Sequence, residues 1–146
     1  MCSSHWERRP GRPGRSRARG GRFSNHATTG GARPAIYATY RAVVDPGDVV
    51  VYPVPSWNNN HYCYLTGALG VPVVCRSEDR FLPTRAALAA ALPGARLLSL
   101  NTPLNPTGTA LDSETLASVC DVILEENQAR ERRRARPLFL LYDQVY

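Results

Sequence analysis

The chain has 146 residues, an ordinary apolar fraction of 43% and a formal net charge of +6. That length allows one domain with a real core and is too short for two of normal size. The positive excess sits in one place: Met1 to Asn25 holds seven arginines against the single acid Glu7, whereas His26 to Tyr146 holds eleven arginines against eleven acids. Residues 1–25 lack the aliphatic side chains needed to bury a face, so a disordered Arg/Gly-rich tail is expected there, and residues 26–146 form the domain. The tail has no apolar stretch for a secretory signal, and Pro10, Pro13 and its glycines spoil an amphipathic presequence helix. No apolar run approaches membrane-spanning length. Cys2, Cys63, Cys75 and Cys120 have neither close pairing nor secreted-domain density, which favours reduced thiols in a cytoplasmic protein. His5, His26 and His61 form no metal-binding spacing with them.

In chain order, Ala35 to Val44 places Ile36, Tyr40, Val43 and Val44 on one helical face, and Asp45-Pro46-Gly47-Asp48 ends it in a turn. Val49 to Tyr52 is a continuous apolar strand. Trp57 to Leu69 reads as a helix, weakened by three asparagines, and Val71 to Cys75 as a strand whose Pro72 suits an edge. Thr84 to Leu92 is an alanine-rich helix closed by Pro93-Gly94, and Arg96 to Leu100 is a third strand. A longer helix runs from about Ser113 to Arg130, capped by Asp112 or Ser113, with a stripe of Leu116, Val119, Cys120, Ile123 and Leu124. Arg132-Arg133-Arg134 and Arg136 follow, where cations complement the helix dipole in water. Leu138 to Tyr142 is the fourth strand. Continuous apolar strands alternating with amphipathic helices indicate an α/β fold with a mainly parallel sheet covered on both faces, a partial three-layer α/β/α arrangement.

In open α/β sheets, ligands bind beyond the carboxyl ends of the strands. Trp57, Asn105 and Asp143 each fall just after or at such an end. Thr29-Gly30-Gly31-Ala32-Arg33 precedes a helix whose Pro34 suits the first turn, and amides exposed there can hold a phosphate. Taken singly, each feature has a plainer reading: Asn-Pro and Thr-Gly form turns, an aspartate ends a strand, and a tryptophan fills a core.

Together they carry a resemblance. Pro46-Gly47-Asp48 then Val49-Val50-Val51, Pro53 through Trp57, Asn105-Pro106-Thr107-Gly108 and Asp143-Gln144-Val145-Tyr146 occur in the order seen in class I/II aminotransferases, the aspartate-aminotransferase-like branch of fold type I pyridoxal-phosphate enzymes. The chain from Thr28 onward resembles part of that family's large domain. The resemblance implies pyridoxal 5′-phosphate as cofactor, amino acid and 2-oxo acid substrates, and a homodimer in the complete enzyme. It implies that Asp143 pairs with the protonated pyridine nitrogen and that Asn105 and Tyr146 hydrogen-bond the phenolic oxygen. Trp57 would stack on the ring, and Ala32 and Arg33 would offer amides to the phosphate, with Gly31 allowing the approach.

Two departures qualify this. No lysine occurs anywhere in the sequence, so the family's Schiff-base lysine is missing and the chain reads as a fragment without turnover of its own. The arginine-rich tail matches nothing in the family. An incomplete sheet would leave a strand edge and helix faces open, so marginal stability is expected of the isolated chain. Two other readings rank below the first. One is nucleic-acid binding through Arg8 to Arg22, disfavoured because the tail lacks interleaved aromatic residues. The other is a non-catalytic remnant that pairs with a full-length relative.

Overall fold

The computed structural model describes residues 29–144; the arginine-rich segment, Val145 and Tyr146 lie outside them. Helix α1 (Ala32–Val43) leads into strand β1 (Val49–Val54), then α2 (Asn59–Thr66) and β2 (Leu69–Val74). A 3₁₀ turn (Ser77–Asp79) precedes α3 (Arg85–Ala91) and β3 (Ala95–Asn101), and α4 (Ser113–Arg132) leads to β4 (Phe139–Asp143). The sheet order is β2-β1-β3-β4 and every neighbouring pair is parallel.

The apolar runs of β1 and β3 are continuous because both faces of the sheet are covered there, whereas the edge strand β2 is largely exposed, with Leu69 at 59% and Val74 at 72%. Val50, Tyr52 and Leu97 point to one side, where they pack with Tyr40 and Val44 from α1 and its end and with Cys63 of α2. Val51, Leu98 and Leu100 point to the other, against Leu88 and Leu92 from α3 and its end and against Val119, Val122 and Ile123 of α4. Successive residues of one strand thus serve opposite layers, which is the period-2 geometry of a strand. Pro72 sits in the edge strand β2, opposite Tyr52, where its missing amide removes no bond to a second neighbour.

Local signals set most boundaries. Thr84 caps α3 by accepting from the Ala87 amide (3.2 Å), and Asp112 caps α4 by accepting from the Thr115 amide (2.8 Å). Hydrogen bonds from Thr115 and Arg80 hold the Asp112 carboxyl down at about 2. The α2 helix is shorter than its sequence suggests. Trp57 lies in the loop before it, and Gly67, at φ 71°, closes it in the left-handed conformation that favours glycine, so Leu69 already begins β2.

Two expectations for α4 change. Its buried stripe is Val119, Val122 and Ile123, while Leu124 is 58% exposed. Arg130 turns inward and is only 6% exposed. Its guanidinium donates to the carbonyls of Ala95, Leu92 and Arg136, and its Nε donates to the Glu126 carboxylate at 2.7 Å. Arg136 lies beyond the helix, where it grips Asp45 (2.9 Å) and Asp48 (3.0 Å) instead of standing free in water. Arg96 donates to the carbonyls of Val43 and Pro137, both at 2.7 Å. These three arginines staple the amino-end turns of β1, β3 and β4.

Arg130→Ala would leave buried carbonyls without partners, so it is expected to cost about 3 kcal/mol in urea denaturation. Arg132→Ala, on the exposed side of the same turn, should change stability by no more than about 0.5 kcal/mol.

Candidate cofactor site

The strand order reverses direction between β1 and β3: the chain steps outward from β1 to β2, then crosses back to place β3 on the other side of β1. Loops leaving the carboxyl ends of β1 and β3 diverge to opposite faces there and open a crevice, the position at which open α/β sheets bind ligands. A cavity of about 260 Å³ lies at that point, near the small end of the range for ligand sites. Ala32, Arg33 and Ile36 of α1 line it, with Trp57 and Asn58 after β1, Tyr62 of α2, Asn101 and Asn105 at and after the end of β3, and Asp143 at the end of β4.

Five of the seven residues singled out in the sequence therefore meet in one cavity: Ala32, Arg33, Trp57, Asn105 and Asp143. Gly31 adjoins it as the N-cap of α1 and adopts φ 134°, which side chains rarely tolerate. Tyr146 lies outside the described residues. The sequence reading missed Ile36, Asn58, Tyr62 and Asn101. For Asn101 the available signal was its place at the end of an apolar run, four residues before Asn105.

The α1 start is open to an anion. Gly31 makes no side-chain cap, and the first turn carries no acid, so the amides of Ala32 and Arg33 keep their donors for a ligand. Across the cavity, burial raises the Asp143 carboxyl above its ordinary range, and a hydrogen bond from Asn101 Nδ2 to Asp143 Oδ2 (3.3 Å) draws it partly back. Burial likewise raises the Tyr62 phenol; the charge of Arg33 opposes that shift and the charge of Asp143 adds to it. Trp57 is 58% exposed, an indole held at the rim and not spent in the core.

Beneath the rim lies a buried polar network. Ser99 Oγ of β3 and Tyr40 OH of α1 donate to Asn59 Oδ1, at 2.8 and 3.3 Å, and Asn59 Nδ2 donates to Ser56 Oγ at 3.2 Å. One asparagine at the start of α2 thereby ties α1 and β3 to the loop that carries Trp57 and Asn58. Deep burial raises the Tyr40 phenol far above its ordinary value, so it remains a neutral donor.

The donor set fits an anionic, planar, cationic-ring ligand: amides at a helix start, an aromatic face, a carboxamide, and a half-buried carboxylate in need of a positive partner. No cluster of His, Cys, Asp and Glu suited to a metal occurs among the described residues.

The raised Asp143 carboxyl has a consequence for stability. Its protonated form favours folding fully below the unfolded-chain value near ~3.9, and that contribution is lost as pH rises through the folded value. Asp143→Asn should therefore melt at the same temperature as wild type near pH ~3 and above it at neutral pH. Parallel melting curves across that interval would show that burial does not strain this carboxylate.

Comparison with protein families matches residues 21–129 to Aminotransferase class I and II, so the match begins at Gly21, inside the arginine-rich segment expected to lie outside the family. Among curated proteins, an aspartate aminotransferase from Musicola paradisiaca is 33% identical over 124 residues, covering 84% of this chain and 28% of that protein. A 1-aminocyclopropane-1-carboxylate synthase from Prunus mume is 32% identical over 144 residues, covering 90% of this chain and 27% of that one. Among solved structures, the aspartate aminotransferase from Thermus thermophilus with maleate superposes with a TM-score of 0.68 at 26% identity, covering 78% of this chain and 28% of that chain. The chain thus spans little more than a quarter of the relatives it matches, and with three-quarters of its own length inside the family match it belongs to the class I and II aminotransferases.

Proposed function

We propose that residues 26–146 are part of the large domain of an aminotransferase and supply one wall of its pyridoxal-phosphate site. The observation that carries this reading is the convergence of Asp143, Asn105, Trp57 and the α1 amides on one cavity at the β1/β3 switch point. When bound, pyridoxal phosphate supplies an electron sink for negative charge at the substrate carbon.

The residues of this chain bind and orient. The Asp143 carboxylate accepts from the ring N–H and keeps the ring cationic through a charge-assisted bond, roughly twice as strong as a neutral one. That pairing also relieves the cost of its own burial. The Asn105 carboxamide donates to the phenolic oxygen, and Tyr146 is proposed to donate to the same atom. Trp57, exposed at the cavity rim, would stack on the ring and shield it from water. The Ala32 and Arg33 amides take the phosphate, with the α1 dipole favouring its charge.

With no lysine in the sequence, these residues offer no side-chain amine for a covalent link or for proton transfer at the substrate carbon. Turnover therefore belongs to the complete enzyme, which we take to move an amino group between an amino acid and a 2-oxo acid as a homodimer. A cytoplasmic setting accords with the free thiols of Cys63, Cys75 and Cys120. Among the described residues no helix is long and apolar enough to cross a membrane.

Calorimetric titration of the full chain with pyridoxamine 5′-phosphate, which needs no lysine to bind, tests the reading. Saturable binding is expected, weakened about tenfold by Asp143→Ala and about threefold by Trp57→Ala. Absence of binding to the folded wild-type chain, or affinity indifferent to both substitutions, would overturn it.

A further inference from the structure

We propose that Asn101 is a positioning residue that sets Asp143 and Asn105 in one frame, through a single carboxamide spanning the ends of β3 and β4. The inference rests on the cofactor reading above and assigns a role to a residue that the reading itself does not use.

Asn101 is the last residue of β3 and the register partner of Asp143, the last residue of β4. Its Oδ1 accepts from the Asn105 amide at 3.0 Å, and its Nδ2 donates to Asp143 Oδ2 at 3.3 Å. The orientation of the carboxamide follows from chemistry: a backbone N–H only donates, so the carbonyl end must face Asn105, and the NH₂ end is left for the carboxylate. No other side chain among the described residues hydrogen-bonds Asp143. The Thr102 amide donates to the Asp143 carbonyl at 2.9 Å, so the two strand ends are joined through main chain as well as side chain.

The residue type is constrained. A carboxylate at position 101 would keep an acceptor for the Asn105 amide but set a like charge against Asp143. An apolar side chain would free both partners, and a serine hydroxyl is too short to span them. Asn101 ties Oδ2 and leaves the other carboxylate oxygen without a side-chain partner among the described residues, and Arg33 of α1 and Tyr62 of α2 are the remaining charged and titratable groups that line the cavity. Asn101 thus favours the ionised form of Asp143 that a cationic ring requires, and it fixes the backbone from which the Asn105 side chain reaches the ligand.

The test uses the full chain in two measurements. In the first, carboxyl ¹³C NMR follows the titration of Asp143 without ligand, its signal identified by its loss in Asp143→Asn. Asn101→Ala is expected to move the midpoint upward, and the isosteric Asn101→Asp further still; an unmoved midpoint in both overturns the proposal. In the second, pyridoxamine 5′-phosphate affinity is measured in a double-mutant cycle. Asn101→Ala is expected to weaken binding about five- to tenfold in the wild-type background and less than about twofold alongside Asp143→Ala. Equal losses in both backgrounds would show that Asn101 does not act through Asp143 and would overturn the proposal. If wild type binds no pyridoxamine 5′-phosphate while the Asp143 midpoint still responds to Asn101, the cofactor reading fails and the hold of Asn101 on Asp143 stands.

Discussion

The four strands among the described residues run in the same direction, and the rest of their arrangement follows from that constraint. Parallel pairing requires a crossover between successive strands, so helices pack on both faces and the central strands β1 and β3 are largely buried. It also collects the strands' carboxyl ends on one side. The loops after β1 and β3 part there, and the end of β4 joins them, so Trp57, Asn105 and Asp143 come together although the chain separates them widely. The opposite side has a different role. Arg96, Arg130 and Arg136 bind carbonyls and carboxylates of the amino-end turns, which anchors the frame away from the cavity.

The cavity itself departs from what stability alone would select. An indole stands exposed at its rim, a helix start is left without a side-chain cap, and a carboxyl group is held where burial disfavours its charge. Each would be improved locally by a simpler residue. The departures become mutually consistent once an anionic group, an aromatic ring and a positive charge arrive together, which is the sense in which sites carry strain that the surrounding fold tolerates. The network of Tyr40, Asn59, Ser99 and Ser56 supplies that tolerance from below, since every one of its buried polar atoms has a partner.

Membership of the class I and II aminotransferases agrees with this geometry but spans little more than a quarter of the matched relatives' length. One wall of a site can orient a cofactor without performing the reaction. The division between the proposed binding groups of this chain and a reactive amine, absent from its composition, is a chemical one.

Much of the architecture was legible in the amino-acid order because its causes are local. Thr84 and Asp112 cap the helices that follow them, Pro72 marks an edge strand, and apolar runs end where the loops begin. The candidate residues Asp143, Asn105 and Trp57 were legible for the same reason, standing at the ends of those runs. Asn101 also stands at such an end, but its role was not legible, because it arises from register with a residue 42 positions away. Arg130 was not, because in a segment rich in arginine nothing local separates the one that turns inward from those that face water. By itself, the sequence determined which segments are strands and helices and which polar residues stand at their ends, since period and capping act over a few residues. Only the tertiary structure decided the strand order, and with it which of those ends share a cavity, because order depends on the packing of faces brought together from distant parts of the chain.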